Sequence, residues 1–437
     1  MWEYYDNKIL FITGASGFLG TALLYRILSK TAVAHIYLLS RGGLPQIEKQ
    51  WRRYLPEPYI EKLHDKSLVT IIQGDVTEPY FGQTPQSQSI LRLQESVDVI
   101  IHAASSISLT SRFGTIVDPV IRASVYLAQF ALTCPRLMRF VYVSTAYANA
   151  FLYYEDDEAD PLVYEDIYPL SEKEETLDEW ALVRKGIIPA PYKAHNFPWP
   201  YAYAKHLTER LLRHLFTTNR EGEKNGGEEK KVELLIFRPS VIGPSQSFPF
   251  PGFSFPKSTP ATVLAAGLLL TPSFITRVSS RAADPYSSTT DEVPADVVVD
   301  RLLLHLAHGT TGPVHAVAGP GSRYSFKVFW DEAMRLRRLP WSCRNNWLDK
   351  DWRDKTLHPI ARIYVIYAAS FRFMSWKTFE VCERLSEDEK EGLVLFSEAD
   401  GRCAGLKGRM SQIKEAMEMI TRRNFWARVL FWLLYSW

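Results

Sequence analysis

Thr13-Gly14-Ala15-Ser16-Gly17-Phe18-Leu19-Gly20 joins a short apolar run at residues 8–13 to a stretch with helical spacing at residues 18–28. The first glycine permits a tight turn, the second lets the backbone approach a pyrophosphate, and the third lets the helix pack closely on the strand. N–H groups at the start of the helix then bind the phosphates. We therefore predict a dinucleotide-binding turn; the alternative is an ordinary glycine-rich connection. The predicted cofactor contacts are Gly14, Ser16, Gly17, Phe18, Leu19 and Gly20.

Beyond this turn, short apolar runs alternate with stretches of helical spacing. The runs are residues 8–13, 35–40, 69–74, 97–104, 139–144 and 232–238. They are continuously apolar, which is typical of parallel strands that are covered on both faces. Residues 18–28 and 118–132 have the spacing of helices that lie between such strands. The pattern predicts an α/β fold built on a doubly wound parallel sheet.

The segments that follow the second, third and fourth strands extend the predicted cofactor site. Leu38-Leu39-Ser40-Arg41 places an arginine where an NAD-specific domain carries an acid, and a guanidinium binds a 2′-phosphate through paired hydrogen bonds. We therefore predict NADPH as the cofactor, although Arg41 also fits an exposed residue that opens a loop. The carboxylate of Asp75 can accept a hydrogen bond from an adenine amino group. The remaining predicted contacts are Val76 and, where small side chains let the cofactor pass, Ala103 and Ala104.

A tyrosine and a lysine mark the predicted chemistry. Tyr201-Ala202-Tyr203-Ala204-Lys205 begins a helix directly after Pro200. Helical spacing places Tyr201 and Lys205 on one face and directs Tyr203 elsewhere. A nearby ammonium stabilises a phenolate and lowers the pKa of tyrosine from its usual value of about 10. Such a pair also arises by chance, but in combination with the hydroxyl residues described next it predicts a general acid for a carbonyl that accepts hydride.

A pair of hydroxyl residues follows the fifth predicted strand. The strand ends in Val141-Tyr142-Val143-Ser144-Thr145, and ligands of open α/β sheets bind at the carboxyl ends of the strands. Either Ser144 or Thr145 can donate a hydrogen bond to a substrate oxygen. The alternative for each is a hydroxyl that only caps the strand.

Composition excludes several classes of function. Among 437 residues, 51 Lys and Arg face 49 Asp and Glu, so the net charge of +2 gives no overall field for nucleic acid. The 4 cysteines form no CxxC pair, so neither a disulfide framework nor a metal site is predicted. The first apolar run begins at residue 8, which leaves little room for a cleaved leader. We expect an intracellular protein that is cytoplasmic or peripherally associated with a membrane.

The chain divides into three predicted parts. Residues 1–240 form an NADP-binding Rossmann-type domain with an acidic insertion at 151–200, which we interpret as a solvated loop or lid in preference to a partner-binding segment. Residues 241–325 form a substrate-binding subdomain, and residues 326–437 form a helical C-terminal region. The last segment, 424–437, reads NFWARVLFWLLYSW and is too short to span a membrane. A buried helix and a helix on a membrane surface both remain open for it.

Residues 5–330 resemble the extended short-chain dehydrogenase/reductase superfamily. Within it, they are similar to the fatty acyl-CoA reductase (male-sterility type) and thioester reductase branch. Besides the glycine turn, the hydroxyl pair and the Tyr–Lys pair, the resemblance rests on four stretches: 140–149 FVYVSTAYAN, 237–244 FRPSVIGP, 249–252 PFPG and 291–299 DEVPADVVV. A weaker resemblance continues at 358–361 HPIA and 376–379 WKTF.

The resemblance implies a role for each site residue. Tyr201 is the proton donor, Lys205 holds the nicotinamide ribose and tunes Tyr201, Thr145 donates to the thioester carbonyl, and Pro239 and Val241 border the nicotinamide. The implied reaction is the NADPH-dependent reduction of a fatty acyl-CoA or an acyl-carrier-protein thioester to an aldehyde, with further reduction to the alcohol left open. The apolar stretches after residue 243 fit an acyl channel and core packing equally well.

Two other functions remain open. The same fold serves sugar-nucleotide or sterol dehydrogenases and epimerases, which Arg41 and the run at 249–252 disfavour. A non-catalytic NADP-binding interaction protein is the other. It is suggested by the acidic insertion and by the stretch at 120–123, which reads VIRA where many superfamily members carry an asparagine.

Overall fold

The computed structural model describes residues 1–109, 111–155, 160–171, 176–222, 232–256, 258–279, 285–348, 369–397, 405–422 and 424–435. The predicted motif at 358–361 lies outside the described residues, as do several acids of the insertion.

The strands are short, and most precede a helix. They are β1 (Ile9–Thr13), β2 (His35–Ser40), β3 (Val69–Gln73), β4 (Val99–His102), β5 (Arg139–Val143), β6 (Leu162–Val163), β7 (Glu233–Pro239), β8 (Val241–Gly243), β9 (Ile275–Ser279), β10 (Thr289–Thr290), β11 (Glu292–Pro294), β12 (Gly312–Ala316), β13 (Tyr324–Ser325), β14 (Arg344–Leu348) and β15 (Arg372–Phe373).

The helices follow the same chain order. They are α1 (Phe18–Lys30), α2 (Gly43–Tyr54), α3 (Glu57–His64), α4 (Gln88–Ser96), α5 (Phe113–Val117), α6 (Ala123–Leu132), α7 (Leu152–Glu155), α8 (Thr176–Arg184), α9 (Ala190–Ala194), α10 (Pro200–Gly222), α11 (Pro260–Leu270), α12 (Ala295–Ala307), α13 (Phe326–Leu336), α14 (Trp376–Arg384), α15 (Glu387–Lys390), α16 (Met410–Thr421) and α17 (Phe425–Tyr435).

The central sheet has seven parallel strands in the order β12-β7-β5-β4-β1-β2-β3. The chain runs outward from β1 through β2 to β3 and then returns to the other side of β1 with β4. Ligands of open α/β sheets bind at the carboxyl ends of the strands where the order reverses in this way. In this chain, that position lies between β1 and β4, next to the glycine turn.

Helices cover both faces of this sheet. Leu10 and Ile12 pack in a core with residues of α1, α2 and α12, whereas Phe11 packs in a second core with residues of α4 and α6. All three side chains are completely buried. Burial on both faces explains why the strand sequences are continuously apolar. The predicted doubly wound parallel α/β fold is confirmed.

The edge strand β12 was not predicted. Its residues, Gly312–Ala316, come from the segment that we assigned to a substrate subdomain. A short stretch with a glycine and a proline gives little strand signal, yet Pro313 is tolerated because edge strands need fewer N–H donors. The division into 1–240 and 241–325 stays a prediction, with the qualification that the sheet takes one strand from the second part.

The predicted helix at residues 118–132 starts earlier and is interrupted. A π-helical turn, Asp118–Arg122, separates α5 from α6. Pro119 has no N–H, so the regular hydrogen bond of an α-helix cannot form at that position. The sequence pattern predicted the helical period but not the π-helical turn, in which the helix is locally wider.

The acidic insertion is not simply a solvated loop. Glu179 of α8 is buried and accepts both terminal N–H groups of Arg210, at 2.7 and 2.8 Å. Glu165 is also buried and accepts backbone N–H groups of His315 and Lys377. The interpretation as a solvated segment is wrong for these two carboxylates, because charge density along the sequence does not reveal partners elsewhere in the chain.

The C-terminal helix α17 has one buried and one exposed face. Phe431 and Tyr435 are buried against the core, and the Tyr435 hydroxyl donates to the carbonyl of Leu269 in α11. Phe425 and Trp426 are 71% and 77% exposed. Across the part of the chain that the structure describes, no helix has the length and apolarity needed to cross a membrane.

Candidate active site

The backbone of the glycine turn is not covered by side chains, because a Cβ at two of its glycines would clash with neighbouring backbone atoms. Gly14 has φ +82°, and a Cβ there would lie 2.8 Å from backbone atoms of Ala103 and Ala104. A Cβ on Gly20 would lie 2.1 Å from the carbonyl oxygen of Gly14. Gly17 forms the N-cap of α1, so the positive end of the helix dipole starts at the turn. The turn therefore fits the phosphates of a dinucleotide.

His102 fastens β4 to β1 beside this turn. Its Nδ1 lies 2.8 Å from the Thr13 hydroxyl, and its Nε2 lies 3.1 Å from the Ser124 hydroxyl. The same Thr13 oxygen accepts the N–H of Ala104 at 3.1 Å. Burial, and to a lesser degree the nearby Lys205, lower the pKa of His102 to about 3. His102 is therefore neutral and holds the loop after β4.

A cavity of about 290 Å³ opens at the carboxyl ends of the strands. Most of the predicted site residues line it: Gly14, Gly17, Phe18, Leu19, Gly20, Ala103, Thr145, Tyr201, Lys205, Pro239 and Val241. The predicted contacts that do not line it are Ser16, Arg41, Asp75, Val76 and Ala104.

Two of the residues outside the cavity follow the outer strands β2 and β3. Arg41 is exposed immediately after β2. The carboxylate of Asp75 accepts hydrogen bonds from the N–H and the hydroxyl of Thr77, both at 2.9 Å. These positions are on the side of the sheet to which a dinucleotide extends from the glycine turn.

Lys205 is held from the sheet side. Its ammonium donates to the carbonyl of Val143 at 2.9 Å and lies 4.7 Å from the ring centroid of Tyr142 and 5.9 Å from that of Tyr201. The side chain is almost fully buried. Burial lowers the pKa of Lys205 to about 7, and Glu209 acts in the opposite direction. The ammonium therefore titrates near neutral pH in the free protein.

Tyr201 keeps its proton. Burial raises the pKa of its phenol above the usual value, and a side-chain hydrogen bond with Thr145 opposes the rise. The expectation that the pKa of Tyr201 lies below its usual value is therefore wrong for the free protein. The reason is that burial penalises a phenolate at this position more than its neighbours stabilise it. A protonated phenol beside a hydroxyl is an arrangement that can donate a proton to a carbonyl oxygen.

The two hydroxyl residues after β5 have different partners. Ser144 donates to the Glu209 carboxylate at 2.5 Å, and Arg238 donates to the same carboxylate through Nε at 2.9 Å and through its terminal nitrogen. All three side chains are buried. Thr145 instead accepts the N–H of Tyr147 at 3.3 Å, and its hydroxyl acts to lower the pKa of Tyr201. The Ser144 hydroxyl thus donates to Glu209, and the assignment of Thr145 as the donor to the substrate oxygen stays a prediction.

Sequence reasoning missed two parts of this site. The first is the apolar wall of the cavity, whose unpredicted members include Ile107, Leu109, Trp199, Ile242 and Pro260. Trp199 directly precedes the helix that carries Tyr201, and that proximity was its only signal. The second is Glu209, whose helical spacing from Lys205 was visible, whereas its partner Arg238 on β7 was not.

The sequence matches a protein family and several curated relatives. The family model described as male sterility protein, an NAD-binding domain, matches residues 12–302. Fatty acyl-CoA reductase 1 of Mus musculus is 28% identical over 315 residues, covering 69% of this chain and 55% of that protein. A putative fatty acyl-CoA reductase of Drosophila melanogaster is 24% identical over 317 residues, covering 69% of this chain and 52% of that protein. The chain spans about half the length of the curated relatives it matches.

Solved structures share the fold over most of their length. The terminal R domain from the myxalamid PKS-NRPS pathway has a TM-score of 0.61 at 16% identity, covering 93% of this chain and 91% of that one. The reductase domain of a nonribosomal peptide synthetase from Mycobacterium tuberculosis has a TM-score of 0.59 at 17% identity, covering 95% and 94%. UDP-glucuronic acid 4-epimerase from Bacillus cereus, in complex with NAD, has a TM-score of 0.54 at 13% identity, covering 96% and 99%. At these identities, the likeness establishes the Rossmann-type extended fold alone.

Proposed function

This chain belongs to the male sterility protein family, and from that membership we propose that it is an NADPH-dependent reductase of acyl thioesters. The observation that carries the proposal is the cavity that brings the glycine turn together with Thr145, Tyr201 and Lys205 under an apolar wall. The fatty acyl-CoA reductases among its relatives support the same chemistry.

The cofactor is a nicotinamide dinucleotide, since the family model is that of an NAD-binding domain. When bound, it supplies the hydride. We propose that it is NADPH, with Arg41 binding the 2′-phosphate. Gly14, Ser16 and Gly17 would bind the pyrophosphate through the backbone. The remaining contacts in the proposal are Phe18, Leu19 and Gly20 at the start of α1, Asp75, Val76, Ala103 and Ala104 beside the adenosine, and Pro239 and Val241 beside the nicotinamide.

Two side chains of the protein would bind the carbonyl oxygen of the substrate. Thr145 and Tyr201 would bind this oxygen, and Tyr201 would transfer its proton to it as negative charge develops there. Lys205, as an ammonium, would bind the nicotinamide ribose and stabilise the phenolate that remains. The thioester thus gains one hydride and one proton, and loss of the thiol from the resulting hemithioacetal leaves an aldehyde. A second round of the same transfer would give the alcohol.

The substrate proposal rests on the wall of the cavity. Ile107, Leu109, Trp199, Ile242 and Pro260 surround the reacting groups with apolar side chains. Such a wall favours an acyl chain over a sugar, whose hydroxyls need hydrogen-bonding partners. We propose a fatty acyl thioester, carried by CoA or by an acyl-carrier protein.

We also propose peripheral contact with a membrane through residues 424–437. The exposed side of α17 presents Phe425, Trp426, Trp432 and Leu433, each more than half exposed. The helix contains Arg428 and no acidic residue. Aromatic side chains beside arginine are typical of helices that lie in the headgroup region.

Product analysis tests the function. Purified protein is incubated with NADPH and saturated acyl-CoA esters from octanoyl to octadecanoyl, and in parallel with one acyl-carrier-protein thioester. We expect NADPH oxidation and an aldehyde or alcohol of the same chain length, identified by mass spectrometry. Oxidation of a sugar-nucleotide or sterol hydroxyl with NAD, and no product from any thioester, would refute the proposal.

A further inference from the structure

One buried carboxylate joins three elements of the cavity. Glu209 lies on α10, one helical turn beyond Lys205 and on the same face. It accepts from Ser144 at the end of β5 and from Arg238 on β7. Glu209 and Arg238 are completely buried. Burial of an ion pair is expensive and is tolerated only with good geometry, so this pair fixes α10, β5 and β7 relative to one another.

Each partner of Glu209 is next to a residue of the proposed site. Ser144 separates Thr145 from Val143, whose carbonyl accepts the Lys205 ammonium. Arg238 directly precedes Pro239, which lines the cavity. The network therefore controls where the proton donor, the ammonium and the wall beside the nicotinamide lie.

Glu209 also supplies charge. The groups that face Lys205 are His102 from β4, Tyr142 from β5, and Tyr201 and Glu209 from its own helix. Burial keeps His102, Tyr142 and Tyr201 neutral, since it lowers the pKa of the histidine and raises those of the two phenols. Within the described part of the chain, Glu209 is thus the anion of this set.

We propose that Glu209 is a positioning residue, which aligns Lys205 with Thr145 and provides the negative charge that the buried ammonium needs. The role rests on the proposed function, because it matters for turnover only if Lys205 and Tyr201 reduce a carbonyl. A purely structural role would leave the pH dependence of the site unchanged, whereas the proposed role sets the pH at which Lys205 loses its proton.

The test is the pH profile of Glu209→Gln. With saturating hexadecanoyl-CoA, kcat/KM for NADPH reports ionisations of the protein form that binds NADPH. In the wild type, we expect this ratio to fall as the pH rises through the Lys205 pKa of about 7, because the ammonium loses its proton. Loss of the carboxylate charge removes the group that opposes burial, so the falling limb should move down by roughly one pH unit. Glu209→Asp keeps the negative charge, so its falling limb should lie close to that of the wild type.

Glu179→Gln is the matched control. Glu179 is buried, accepts two N–H groups from Arg210 and accepts the hydroxyl of Tyr203 at 2.6 Å. The variant Glu179→Gln thus loses the same charge as Glu209→Gln and the same kinds of hydrogen bond. The change lies on α8, which packs against α10. Both variants should lower the unfolding midpoint, but only Glu209→Gln should move the limb. A limb that stays in place in both variants would overturn the proposal.

A binding measurement separates this proposal from the proposed function. The fluorescence of bound NADPH, titrated over the same pH range, needs no turnover. If the wild type reduces no thioester but its binding limb moves in Glu209→Gln, the proposed function fails, and what remains is that Glu209 sets the ionisation of Lys205 for NADPH binding. If thioesters are reduced and neither limb moves, the role of Glu209 fails. Should Glu209→Gln not fold, Glu209→Gln/Arg238→Met removes both charges of the pair, and a smaller shift in the same direction is expected because Glu209 is the group that raises the pKa of Lys205.

Discussion

Arg41 is the residue on which the proposed choice of cofactor depends. It is exposed directly after β2, where the guanidinium is free of burial costs and accessible to a 2′-phosphate. A hydrogen bond to a charged group contributes about 1.5–3 kcal/mol. That range corresponds to roughly 10- to 100-fold in affinity.

Arg41→Ala is therefore expected to weaken NADPH binding by at least about tenfold while leaving NADH binding unchanged. Fluorescence titration with each cofactor measures both affinities. Arg92→Ala, at an exposed arginine on α4, serves as the control and should change neither. Equal losses for the two cofactors in Arg41→Ala would mean that Arg41 does not read the 2′-phosphate.

Among the elements, the junction of β1 and α1 leaves very little room for an added side chain. The missing side chain of Gly20 allows α1 to approach the Gly14 carbonyl, and a Cβ would lie 2.1 Å from that oxygen. Real structures do not accommodate such a distance, so the helix and the turn would have to separate.

Gly20→Ala should lower the free energy of unfolding by about 1–3 kcal/mol and should weaken NADPH binding because the turn moves. Chemical denaturation and cofactor titration measure the two effects. Gly114→Ala on α5, where a Cβ would meet nothing within 4 Å, should be neutral or slightly stabilising, as alanine favours helix. A Gly20→Ala protein as stable as Gly114→Ala would contradict the packing argument.

The predictable elements are those whose signal is local. The glycine turn and the strands β1, β2, β3, β4, β5 and β7 were predicted within one or two residues at most ends, because continuous apolar runs and glycines act over short distances. β12 could not be predicted, because Gly312 and Pro313 are residue types that are rare in strands. Its pairing with β7 stabilises this strand. The π-helical turn at Pro119 was not predicted either, because the spacing of apolar residues indicates a helix but not a local change in its hydrogen bonding.

The candidate site was predictable up to the residues that depend on tertiary partners. Spacing alone paired Tyr201 with Lys205. The partners of the two hydroxyl residues were not predictable: Ser144 donates to Glu209, and Arg238 binds the same carboxylate. Neither contact has a sequence signature, because the partners come from separate elements.

At the scale of the whole molecule, the C-terminal region is attached to the dinucleotide-binding domain by buried charges. Arg26 of α1 donates to both carboxylate oxygens of Asp300 in α12, each at 2.7 Å, and Asp300 also accepts the N–H of Val394 at 2.7 Å. Residues far beyond the sheet are thereby coupled to the helix that begins at the glycine turn. The exposed face of α17 belongs to the same region of the chain.

Membrane contact through α17 predicts that the protein sediments with vesicles of phosphatidylcholine and phosphatidylserine. Trp426→Ala/Trp432→Ala should reduce the bound fraction at least about tenfold, since each buried aromatic contributes roughly 1.5–3 kcal/mol. Trp376→Ala/Phe379→Ala removes two exposed aromatic residues of α14 and should leave binding intact. Equal binding by all three proteins would place the contact elsewhere.

The proposed reduction requires Tyr201 to protonate a thioester carbonyl, and NADPH oxidation with hexadecanoyl-CoA by wild type, Tyr201→Phe and Tyr203→Phe measures that requirement. Tyr203 is the matched control, as it is buried on the same helix but donates to Glu179, away from the cavity. We predict that Tyr201→Phe lowers kcat by about 100- to 10,000-fold with unchanged NADPH affinity, and that Tyr203→Phe retains turnover. Turnover by Tyr201→Phe at the wild-type rate, or no NADPH oxidation by the wild type, would contradict the account.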